Sequence, residues 1–122
     1  MIYVKKTTVL LALGVAITAS AASAATRPNM HVSPSVVAPG GRVTVWGNAD
    51  GCPRGDTVTI ISRAFPLTHS FAGVGALFAR VRTGGAFSAT GHVRLHARPS
   101  RYGITARCGG GNLGVVVYLR VR

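Results

Sequence analysis

Cys108 to Gly114 reads CGGGNLG, so Gly109, Gly111 and Gly114 spell G-x-G-x-x-G. At that spacing, glycines let a backbone approach a dinucleotide pyrophosphate, which rests on the N-terminus of a following helix. Here VVVYLRVR follows, and its valines favour a strand. The glycines and Asn112 therefore read as a hairpin turn that tolerates positive φ. Arg54-Gly55-Asp56 could offer a cation and a carboxylate to a receptor, but three residues in an Arg- and Gly-rich chain recur by chance. His92 and His96, four apart on one expected strand, would stand about 13 Å apart at 3.3 Å per residue, too far to share an ion. With His31 and His69 they read as exposed-face histidines, and two cysteines without a nearby His do not make a zinc site, so no metal site is expected. Beyond the leader the only acids are Asp50 and Asp56, and no G-x-S-x-G elbow is present. No catalytic residues and no cofactor are expected, and the chain reads as a non-enzyme. Trp46 is the one large aromatic that could serve binding. The ordinary role of such a Trp is to cover part of a sheet face or a sandwich edge; by alternation it faces outward with Arg42, and with Arg94 it could instead stack on a sugar or hold an anion.

These residues follow a leader that is not part of the fold. Lys5 and Lys6 precede an apolar run, Thr7 to Thr18, and then ASAASAA. Ala22-Ser23-Ala24 fits the small-x-small rule, so residues 1–24 are expected to be a signal peptide cleaved after Ala24. The run is short for a membrane span of about 20 residues, and none is expected in the mature chain. Residues 25–29 would be a short tail and 30–122 one domain, large enough for a single core. The mature part, residues 25–122, holds no lysine and twelve arginines against two aspartates, a net +10. An arginine-only cation set fits high-G+C coding and a need for solubility. It also fits attraction to wall polymer, a lipid surface or nucleic acid.

Short alternating segments separated by Gly, Pro, Asn and Asp predict an all-β chain. Seven strands are expected, at 31–37, 42–46, 56–62, 76–82, 87–95, 101–108 and 114–122. Pro34 suits an edge, because it cannot donate to a ladder. Expected inward residues include Val43, Val45, Val58, Ile60, Phe87, Val93, Leu95, Ile104, Leu119 and Val121. Seven strands at spacings of about ten residues suggest a β-sandwich. Arg101, Arg107, Tyr118, Arg120 and Arg122 would form a second outward basic set, on the sheet opposite Trp46. Export favours a disulfide between Cys52 and Cys108, the chain's two cysteines. In an up-and-down count both lie at one pole, where the loops 48–55 and 109–113 would form a rim.

SPSVVAPGGRVTVWG, GAFSAT and RYGITARCGGGNLGVVVYLRV resemble the bacterial Ig-like domains of secreted and surface proteins of high-G+C Gram-positive bacteria. The similarity covers most of residues 30–122. It implies a seven-stranded immunoglobulin-like β-sandwich that serves as a spacer, stalk or adhesion module. The expectation is an exported, non-catalytic module that binds an anionic envelope polymer or a surface protein, with no specific nucleic acid. Its candidate rim is Asn48, Asp50, Arg54, Gly110 and Asn112, and its candidate aromatic-basic patch is Trp46, Arg42 and Arg94. Two alternatives stand beside it. A small-molecule carrier, as in the chromoprotein-binding family, would need an apolar cleft, which 65–78 could line. A cationic antimicrobial or nucleic-acid binder would show an arginine stripe on one face, whereas arginines on both faces would argue against it.

Overall fold

The computed structural model describes residues 27–122; the expected signal peptide and its cleavage site lie outside the described residues. The described residues form nine strands: β1 (Asn29–Ser33), β2 (Val36–Val37), β3 (Arg42–Asn48), β4 (Thr57–Ile61), β5 (Ser70–Phe71), β6 (Val74–Arg80), β7 (Ala86–His92), β8 (Ser100–Cys108) and β9 (Gly111–Val121). They make two sheets, β1-β3-β7 and β2-β9-β8-β4-β6-β5.

Alternation decides which side chains enter the space between the sheets. In β3, Val43 and Val45 are buried while Arg42 and Trp46 are exposed. Phe87 and Val93 join them in the core from the small-sheet side, and Val58, Ile60, Ile104, Ala106, Leu119 and Val121 from the large sheet. Phe65, on the loop after β4, fills the same core and is 1% exposed. Burying a side chain of this size contributes roughly 1.5–3 kcal/mol. The registers place the loops 49–56, 81–85 and 109–110 at one pole and the loops 38–41, 62–69 and 93–99 at the other.

The strand count exceeds the expected seven for two local reasons. The predicted strand 31–37 divides around Pro34, which has no N–H for a ladder. Its first part pairs antiparallel with β3, and its second part crosses to the other sheet and pairs parallel with β9. Within 63–86, where a single strand at 76–82 was expected, the chain makes a β5–β6 hairpin. Strand β6 then stops at Arg80, because Val81 donates to the Asp56 carbonyl and Arg82 to Ala86.

Strand β7 ends at His92, short of the expected Leu95. The amide of Val93 turns to the Gly41 carbonyl and that of Ala97 to Arg94. Leu95 and His96 therefore sit on a turn, and Leu95 is 76% exposed rather than inward. The alternation that pointed it inward applies only within a ladder. At the last hairpin, Cys108 pairs with Gly111 across Gly109-Gly110, so β9 begins three residues earlier than expected. Only Gly109 and Gly114 of CGGGNLG take positive φ, at 58° and 76°. The Gly114 amide donates to Asn112 Oδ1 at 2.7 Å, which fixes the second kink. The motif builds a hairpin, with a strand where a dinucleotide site needs a helix.

Candidate functional site

Cys52 and Cys108 form a disulfide with Cα atoms 6.1 Å apart. It ties the β3–β4 loop to the end of β8. The sulfurs lie within 4.8 Å of an Asp56 carboxylate oxygen, the one group of three possible metal ligands among the described residues. Both sulfurs are spent on each other, which leaves Asp56 alone.

The rim residues do not share one surface. Asp50 and Asn112 line a depression of about 290 Å³ with Asp56 and both cysteines. The two side-chain carboxylates of residues 27–122 thus sit together at the disulfide pole. Arg54 lines a different depression, of about 410 Å³, with Arg80 and Arg82. Arg80 Nη1 donates to the Gly55 carbonyl at 3.1 Å, and the Gly55 amide donates to Val81, so the two loops that carry these arginines are tied together. Arg54 and Asp56 of the Arg54-Gly55-Asp56 tripeptide therefore line separate depressions. Asn48 donates to the Gly84 carbonyl at 2.8 Å, and its buried Oδ1 has no partner. Gly110, at the turn, accepts from Arg107 Nη2 at 2.7 Å.

The Trp46 patch is also dispersed. Trp46 is 39% exposed on the small sheet, as alternation predicted. Its ring neighbour is His31, at 5.5 Å between centroids, and its strand partners are His31 and Ser88. Arg42 is four residues away on the same strand, about 13 Å at 3.3 Å per residue. Arg94 lies further still, beyond β7, where its carbonyl accepts from Gly40. The structure does not bring these three side chains together.

The outer face of the large sheet gathers more chemistry. Four of its strand residues are arginines, Arg80, Arg101, Arg107 and Arg120, against Arg42 alone on the small sheet's strands. Arg101 and Arg120 are directly opposite in the β8–β9 register. The Arg101 guanidinium lies 3.8 Å from the Tyr118 ring centroid, and Arg107 lies 5.3 Å from that of Phe71. Gly103 is the cross-strand partner of Tyr118, and a Cβ there would make ordinary contact with the ring at 3.6 Å. Phe78, Val116 and Val36 add apolar area, each 42–49% exposed. The two aspartates line the depression at the disulfide pole, off this face.

The sequence pattern marks Arg101, Arg107, Tyr118 and Arg120, because exposure alternates along β8 and β9 in spite of the register shift between Thr105 and Arg107. It misses Phe71, Phe78 and Arg80, which lie in the Gly- and Pro-broken stretch. The Phe78-Ala79-Arg80 alternation was their available signal. No protein family matches the chain, and no curated protein matches it either. No helix among the described residues is long and apolar enough to cross a membrane.

Proposed function

We propose that this chain is an exported, non-catalytic, immunoglobulin-like binding module. Its ligand is an anionic polymer of the cell envelope, and it binds through the outer face of the six-stranded sheet. The observation that carries the reading is the Arg101–Arg120 pair. Like charges directly opposite across a ladder are destabilising, and no carboxylate side chain is on hand there to offset them. Stacking on Tyr118 holds Arg101 in place but leaves its charge unneutralised. A polyanion lying along β8 and β9 would supply the missing counter-charge.

Two features support the immunoglobulin-like part, and the disulfide departs from it: it links the loop after β3 to the end of β8 at one pole, where antibody domains carry theirs across the mid-core. The first strand is shared between two sheets. Tyr102, near the start of β8, donates its hydroxyl to the Arg98 carbonyl at 2.8 Å, the corner geometry of such sandwiches. Export is supported by the leader and by a disulfide that persists in oxidising surroundings.

A second reading rests on the same face. Arginines interleaved with exposed aromatics are also the composition of a platform for single-stranded nucleic acid. Retention of the protein on purified cell wall at low salt and its release at high salt would support the envelope reading. Absence of retention at any salt, with capture by a single-stranded oligonucleotide instead, would replace it with the second.

A further inference from the structure

The most exposed large apolar side chains among the described residues are Leu95 at 76% and Leu67 at 64%. They meet at the pole away from the disulfide. Leu67, Leu95, Pro66 and Val93 line an apolar depression of about 430 Å³. A second depression of about 450 Å³ adjoins it, walled by Phe65 and Val74 and carrying Arg63. Leu67 and Arg94 line both, so the two depressions flank one another and together make the candidate groove.

The groove is built rather than accidental. Three loops meet at residue 94: its carbonyl accepts from Gly40, its amide donates to Ala64, and Ala97 donates back to it. The neighbouring Val93 amide donates to Gly41. Leu95 lies across the bare backbone of Gly40, where a Cβ would sit 3.0 Å from its Cδ2. These contacts fix the turn that presents Leu95, Leu67 stands exposed beside it, and adjoining exposed apolar side chains signal an interaction site. Each depression falls in the range of roughly 300–1,000 Å³ used by small-molecule sites, which combine apolar walls with a few placed charges. The charges here are Arg63 and Arg94, and both aspartates lie at the opposite pole.

We propose that this groove binds a single-chain anionic amphiphile. The alkyl chain lies on Leu67, Leu95 and Pro66, and the carboxylate or phosphate head is held by Arg63 and Arg94. The site is separate from the arginine-aromatic face and stands or falls independently of it.

Calorimetric titration with monomeric decanoate, below its micelle concentration, tests the proposal. The expected result is saturable one-to-one binding with a negative heat-capacity change, the mark of apolar burial. L67S/L95S is expected to abolish it, while R63A/R94A weakens it by about tenfold or more, the scale of a lost charge-assisted hydrogen bond. Decyltrimethylammonium, with the same chain and the opposite head, is expected not to saturate. R101A/R120A, on the other face, is expected to bind decanoate as the unaltered protein does. All four groove positions are solvent-facing, and an unchanged melting temperature for each variant verifies that its fold is intact. Equal binding of the cationic amphiphile, or undiminished binding by L67S/L95S, overturns the proposal. Sedimentation with anionic phospholipid vesicles without binding of decanoate also overturns it, in favour of a membrane surface.

Discussion

Replacing Arg120 by alanine is predicted to make the protein more stable and a poorer binder at once. Arg120 faces Arg101 in the β8–β9 register, and removing one of two opposed like charges relieves about 0.2–1 kcal/mol. For a domain of this size each kcal/mol moves the melting temperature by about 4–8 °C, so a rise of about 1–8 °C is expected at low ionic strength. The screening length shrinks from about 10 Å at 0.1 M salt to about 3 Å at 1 M, so the gain should vanish in high salt. Arg101→Ala makes the useful contrast. It removes the same repulsion but also the Tyr118 stack, worth about 0.5–1 kcal/mol, and should leave the melting temperature nearly unchanged. Differential scanning calorimetry at both salt concentrations, paired with retention on anionic polymer, reads all of these quantities. A fall in melting temperature for Arg120→Ala at low salt, or undiminished polymer retention, would refute the claim that the pair is held for a ligand.

Other outcomes follow from the frame. Cys52→Ala/Cys108→Ala removes a cross-link between residues 56 apart and is expected to lower stability by about 4 kcal/mol on the chain-entropy model, measured by urea unfolding. Tyr102→Phe removes the hydrogen bond to Arg98 and should lose about 0.5–1.5 kcal/mol in the same assay. Gly47→Ala would drive a Cβ into the Asn29 carbonyl on β1. The predicted loss is about 1–3 kcal/mol, with faster amide hydrogen exchange confined to the β1–β3 ladder.

How much of this was readable beforehand depended on whether a residue lay inside a ladder. Val43, Val45, Val58, Ile60, Ile104 and Leu119 follow strict alternation, and each is buried as the period-2 pattern requires. Trp46 was correctly turned outward by the same rule. Leu95 was misplaced because β7 stops at His92, and only the long-range bonds of Val93 to Gly41 and of Arg94 to Ala64 reveal the stop. The β5–β6 hairpin escaped because Gly73, Gly75 and Pro66 break the local pattern that would have announced it. Asp50 and Asp56 could be counted in the sequence, but their gathering beside the disulfide could not. That gathering places both acids at the disulfide pole, beside Arg54, Arg80 and Arg82, and leaves Arg101 and Arg120 on the sheet face without a carboxylate partner.

Amide chemical-shift mapping during titration with a soluble anionic wall polymer tests the central claim most directly. The account predicts that the largest shifts fall on β8 and β9, at Arg101, Gly103, Arg107, Tyr118 and Arg120, and extend to Phe78 and Arg80 on β6. Shifts centred on Trp46 and His31 of the small sheet, or on the Asp50–Asp56 loop, would contradict it.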